Sequence, residues 1–179
     1  MNLCMFGASS AEIGDSYIEA AYALGKEMAK RGYRLVYGGG ATGLMGAAAR
    51  GVHEAGGELT GVAPKFFDQE GVLYKAWGEL VFTETMRQRK QKMEDMSQGF
   101  IVVPGGIGTY EEFFEILTLK QLGRHEKPIA IYNINGYYDS IRAMLEKTVD
   151  EGFMAEKCLK LCAWFDEVGP LLDYMENHG

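Results

Sequence analysis

Apolar residues along this 179-residue chain follow two alternating spacings. Short unbroken runs mark strands covered on both faces, and longer stretches with apolar positions every three or four residues mark amphipathic helices. The runs are Leu3 to Gly7, Arg34 to Tyr37, Leu59 to Ala63, Glu79 to Glu84, Phe100 to Val103, Pro128 to Tyr132 and Leu159 to Ala163. Between them lie helical stretches: Ser16 to Arg31, Thr42 to about Gly56, Thr85 to Gln98, Thr109 to about Leu122, Tyr138 to Glu151 and Asp166 to Asn177. Regular alternation with short links predicts a doubly wound, Rossmann-like α/β domain, with a mostly parallel sheet and helices on both faces. No repeat, low-complexity tract or Pro/Ser-rich linker interrupts it, so residues 1–179 read as one domain. Lys65 to Gly78 is the longest irregular stretch.

Loops that follow the strands of such a sheet gather on one rim, where ligands bind. Ser9-Ser10, Gly38 to Gly43, the start of the Thr85 helix and Pro104 to Glu112 all fall on that rim. Three of the four consist of small residues and glycine, which suits a phosphorylated small molecule better than a protein partner. In Pro104 to Gly108, glycines clear room for close backbone approach to a ligand. Thr109 is placed to cap the helix that follows, whose free N–H groups and dipole favour an anion, phosphate above all. Gly38-Gly39-Gly40-Ala41-Thr42-Gly43 also satisfies G-x-G-x-x-G, but 24 glycines make chance matches easy. The motif follows the second strand rather than the first, and no acidic residue ends a strand ~20 positions later. The lysine-bearing phosphate loop is absent, no cofactor is expected, and some of these glycines serve close helix–sheet packing.

Composition narrows the partners. Eighteen basic residues against 25 acidic give a net charge of −7, and without a basic run neither a nucleic-acid strip nor a membrane-surface helix is expected. No apolar run reaches the ~20 residues a bilayer requires. The chain opens directly on a strand, with no signal peptide in view, and its cysteines are an odd three (Cys4, Cys158, Cys162), so a reducing cytoplasm is the expected compartment. Cys158 and Cys162 stand four apart while His53, His125 and His178 are scattered singly, so no metal site is expected.

Two charged residues need a reason. On the Thr85 helix, Met86, Arg89, Met93, Met96 and Ser97 share one face, with Lys90 at its edge. An inward arginine must meet an anion or leave a costly unpaired charge, unless it snorkels outward. On the next helix, Thr109-Tyr110-Glu111-Glu112 reads as a capping box, a role worth ~1 kcal/mol that needs no catalysis. Spacing alone leans toward the cap. Position leans the other way, because a carboxylate beside a phosphate cradle and facing Arg89 makes an acid–base or cation-stabilising pair.

Together these residues resemble the LOG (Lonely Guy) family, cytokinin riboside 5′-monophosphate phosphoribohydrolases often mislabelled lysine decarboxylases. Pro104 to Glu112 matches the family's PGGxGTxxE motif and Met86-Arg87-Gln88-Arg89-Lys90 its M-x-x-R-K segment. Gly38-Gly39-Gly40-x-x-Gly43-Leu44-Met45-Gly46 and Leu122-Gly123-x-His125-x-Lys127-Pro128 extend the likeness over nearly the whole chain. The resemblance implies hydrolysis of the N-glycosidic bond of a nucleoside 5′-monophosphate, releasing free base and ribose 5-phosphate. It makes Arg89 and Glu112 the catalytic pair. Gly106, Ile107, Gly108 and Thr109 cradle the phosphate, with Lys90 and Thr118 assisting substrate binding and Gly105 a further substrate-binding candidate. Glu70 matches an acidic substrate contact once a gap is allowed; Met86, Gly39, Thr42 and Ser9 are the remaining substrate-binding candidates. A homodimer whose partner helices complete the pocket is also implied. The decarboxylase label has no support, as no lysine has a recognisable pyridoxal phosphate setting. Arg87 stands where histidine is frequent in the family, and Ile107 where an aromatic is common, which leaves base preference open between isopentenyladenine, adenine and others. The alternative is a non-catalytic binding protein resembling the carriers that hold molybdenum cofactor by its phosphate.

Overall fold

The structure, a computed structural model, describes residues 1–68, 72–73 and 77–179. Seven strands form one sheet: β1 (Asn2–Phe6), β2 (Arg34–Tyr37), β3 (Leu59–Pro64), β4 (Glu79–Thr83), β5 (Gly99–Val102), β6 (Ile129–Tyr132) and β7 (Ala163–Phe165). Among the described residues six α-helices accompany them: α1 (Asp15–Lys30), α2 (Gly43–Glu54), α3 (Met86–Asp95), α4 (Ile107–Gln121), α5 (Asp139–Asp150) and α6 (Val168–His178). The strand order is β4-β3-β2-β1-β5-β6-β7 and every neighbouring pair is parallel, which is the Rossmann-like α/β arrangement.

Strand periodicity sorts the core into two layers. Leu3, Met5, Leu35, Tyr37, Ile101 and Val103 face α1, α2 and α6, while Cys4, Phe6, Val36, Val62, Phe100 and Val102 face α3 and α4. Adjacent side chains on a strand point to opposite faces, so a run that is apolar throughout must be covered on both. The β1 connection therefore turns toward the first layer through α1, and the β5 connection toward the second through α4. These diverging paths leave a crevice at the boundary between β1 and β5, where a sheet of this topology receives its ligand.

The last strand departs from the expected Leu159 to Ala163. Glu156–Leu161 instead winds into a 3₁₀ turn that buries Cys158. Pairing starts only where β6 offers partners, at Ala163 opposite Ala130, and ends at Phe165 opposite Tyr132. An apolar run marks what is buried, and the neighbouring strand decides which part pairs. No helix among the described residues is long and apolar enough to cross a membrane.

Candidate active site

The amino terminus of α4 sits at the end of β5, beside the crevice. Its cap is Gly106, which contributes no side-chain hydrogen bond, and the helix begins at Ile107. Thr109 therefore lies inside the first turn rather than capping it, and its side chain occupies the space a Cβ on Gly105 would need. The capping-box reading of Thr109 and Glu112 is overturned for this reason. The box is at the other helix: Thr85 accepts from the Gln88 backbone N–H, and Gln88 Oε1 accepts from the N–H of Thr85. Nothing lies within 4 Å of a Cβ built on Gly106 or Gly108. These two glycines are thus not required by packing, and they leave the free first-turn N–H groups open to an anion.

Glu112, released from capping, meets Arg89. The guanidinium Nη1 donates to Glu112 Oε1 at 2.6 Å, and Nε donates to the Val62 carbonyl of β3 at 3.1 Å. The remaining nitrogen lies where a side chain on Gly38 would stand, so the absence of a Cβ there is what lets the arginine reach inward. Arg89 is 6% exposed and Glu112 9%, which makes this a buried ion pair whose partners each depend on the other. Burial pushes the Glu112 carboxyl above the ordinary carboxylate value of 4.5; Arg89 pulls it partly back.

Arg89, Glu112, Gly106, Gly108 and Thr109 line one cleft of about 370 Å³. Ser9, Met86 and the rim residue Ser10 line it too, together with residues not named as site candidates: Met45 and Phe67 among the larger side chains, and Gly7 and Ala8 along the strap. The strap Ala8-Ser9-Ser10 is pinned from two sides. Ala8 N–H donates to the Pro104 carbonyl at 3.1 Å and the Ala8 carbonyl accepts from Met45 N–H at 3.2 Å. Gly43, at φ 64°, allows α2 to start hard against that strap, and the Thr42 hydroxyl donates to the Ser9 carbonyl. Thr42 thus braces the cleft without lining it. Gly39, also at positive φ, backs onto Leu73 and Leu80 instead.

Lys90 points to the other side of Glu112. Its Nζ pairs with Glu111 and, at 2.8 Å, with Glu115, within a groove between α3 and α4 that also holds Arg87, Glu94 and Glu112. Glu112 is therefore reachable from both hollows. Thr118 is exposed further along α4 and lines neither of them. Ile107 projects outward at 85% exposure, and Glu70 lies outside the described residues. Behind the glycine turn, Tyr138 donates to the Val103 carbonyl at 2.8 Å and Tyr137 to the Gly105 carbonyl at 2.7 Å. With its proton so committed, Tyr137 accepts from the Tyr110 hydroxyl at 3.0 Å. The signal for both tyrosines was their place after β6, on the same ligand rim.

Fold and cleft define a Rossmann-like α/β protein with an anion-accepting helix start beside a buried arginine–carboxylate pair. A family model described as "Possible lysine decarboxylase" matches residues 45–175, and no lysine among the described residues lines the Arg89–Glu112 cleft. Curated relatives carry a different name. The cytokinin riboside 5′-monophosphate phosphoribohydrolase LOG2 of Arabidopsis thaliana is 36% identical over 98% of this chain and 83% of its own length. LOG7 from the same plant is 38% identical over 98% of this chain and 81% of its own. The chain belongs to this LOG family. Among solved structures, the molybdenum cofactor carrier protein of Chlamydomonas reinhardtii superposes with a TM-score of 0.74 at 22% identity, covering 98% of this chain and 96% of that one. The molybdenum cofactor binding protein of Rippkaea orientalis gives 0.71 at 18%, covering 98% and 94%. Likeness at that distance is likeness of fold.

Proposed function

We propose that this chain, working as one domain over residues 1–179, hydrolyses the N-glycosidic bond of a nucleoside 5′-monophosphate to free base and ribose 5-phosphate. The observation that carries this is the buried Arg89–Glu112 pair opening onto the same cleft as the bare amino terminus of α4. The names of the plant relatives and their similarity over 98% of this chain support the same chemistry. Fold likeness to carriers of molybdenum cofactor does not displace it, because carriage needs the cradle alone.

The 5′-phosphate binds at the free N–H groups of Ile107, Gly108 and Thr109, where the dipole contributes only ~0.3–2 kcal/mol, so its value is positional. That puts the ribose over Glu112. As the glycosidic bond breaks, its electrons leave with the base and positive charge builds on the ribose ring. The Glu112 carboxylate stabilises that charge and orients the attacking water, whose oxygen bonds to the anomeric carbon while the proton it sheds ends on the departing base. Arg89 fixes Glu112 in its ionised form, holds the substrate and helps the base depart. Met86 and Ser9 flank the substrate, Lys90 stands behind Glu112 in the α3–α4 groove, and Arg87 and Ile107 bear on which base is preferred. A homodimer in the cytoplasm belongs to the same reading; the two-signed α3–α4 groove suits a self-complementary contact, and the buried free cysteines suit a reducing compartment.

Incubation with AMP, its N6-isopentenyl derivative, the other common nucleoside monophosphates and the matching unphosphorylated nucleosides tests this. Free base should appear from one or more monophosphates and not from the nucleosides, with light scattering on the same sample reading two chains. Equal release from nucleoside and nucleotide, or release from none, would overturn it. A second expectation concerns pH. Protonated Glu112 cannot stabilise a cation, and burial raises its pKa, so activity should fall as pH drops through a midpoint above 4.5. A kcat/KM profile still flat below that value would remove Glu112 as the ionised group.

A further inference from the structure

On the α1 side of the same glycine turn lies a second hollow of about 220 Å³. Its walls are apolar and aromatic: Ile13, Tyr17, Leu44, Pro104 and Tyr137. Ala8, Ser10 and Gly106 form its border with the Arg89–Glu112 cleft and line both, so the two hollows meet across the amino terminus of α4. Neither Arg89 nor Glu112 touches this second space.

The walls are tied to one another. The Tyr137 hydroxyl is committed to the Gly105 carbonyl, and its ring meets that of Tyr17 edge-on, with centroids 6.1 Å apart and an interplanar angle of 82°. The turn that delivers Tyr137 carries Asn135 at φ 54°, a left-handed conformation that asparagine tolerates better than most residues. From there Asn135 Nδ2 donates to Ser16 Oγ in the first turn of α1, 3.1 Å away. The β6–α5 connection and α1, which face each other across the hollow, are therefore clasped rather than merely adjacent.

Size and lining select the occupant. A dry cavity of ~150 Å³ holds a benzene ring, and aromatic edges with aliphatic side chains favour a flat, apolar group. The mouth of the hollow opens on the helix start, so a ligand that fills it carries a negative charge next to its ring. A phosphate seated on α4 with its nucleoside directed at Glu112 turns its other oxygens toward this side. We propose that the hollow is a second subsite, taking a flat apolar group esterified to the 5′-phosphate, so that the protein binds nucleoside 5′-phosphodiesters as well as monoesters. This rests on the phosphate position proposed above.

Calorimetry with two diesters of equal charge tests it: the phenyl ester and the methyl ester of AMP. Burying the ring should make the phenyl ester bind about tenfold tighter or better. Ile13→Trp, which fills the hollow, should erase that preference while AMP hydrolysis persists; if it does not fold, Tyr17→Ala, which removes one wall, should erase it too. Equal affinities in the unaltered protein, no binding of either ester, or a preference that survives in the folded variant would each overturn the subsite. An enzyme that hydrolyses AMP without preferring the ring loses the subsite alone. A protein that prefers the ring yet cleaves no nucleotide loses the hydrolase reading alone.

Discussion

Glu112→Gln is expected to lower kcat by about 10³-fold while the protein keeps its fold, a loss comparable to deleting one preorganised charge-stabilising group. The amide matches the carboxyl in shape, and its oxygen still accepts from Arg89. What disappears is the negative charge facing the ribose. Burial already opposes ionisation of this residue, so the neutral amide removes one desolvation cost; Arg89 loses its counter-charge but keeps a hydrogen-bond acceptor, so the loss of stability should be smaller than for Arg89→Met. Steady-state kinetics beside a thermal melt reads both quantities. Retained turnover with a large drop in melting temperature would return Glu112 to a purely structural role.

Arg89→Met should have the largest effect on stability, about 3–5 kcal/mol, because it strands a buried carboxylate. Without the guanidinium, burial of Glu112 loses its main opponent, only the more distant Lys90 still favouring the charge, and its pKa rises further. The stranded charge is a burden above that raised pKa and none once the carboxyl is protonated. The deficit should therefore shrink as pH falls toward 4.5, the value Glu112 has when unfolded. Adding Glu112→Gln to Arg89→Met should recover much of the stability at neutral pH and none of the activity. Denaturant melts of both single variants and the double one give the coupling directly; strictly additive losses would mean that the two side chains act independently.

Most of the architecture was legible because the central strands β1 and β5 are apolar on both faces, a pattern that only a sheet covered on both sides explains. The inward stripe through Arg89 and Met93 was legible for the same kind of reason, since both are buried in α3. The start of α4 was not. Helix starts are usually recognised by a side chain that caps them, and here the cap is Gly106, with no side chain to see. Thr109 took its place in the reading because it is the next residue of the right type. Tyr137 and Tyr138 were missed because their partners, Gly105 and Val103, lie 32 and 35 positions away in the chain, and no local spacing announces such a bond. Thr118, named only through the family resemblance, faces solvent.

Ile107 opens α4 yet leans on almost nothing. Because its side chain is free of the core, exchanging it costs the folded state little. Variation can accumulate at such a position without a stability penalty, so related chains are free to differ at the very start of this helix while the ion pair beneath stays as it is.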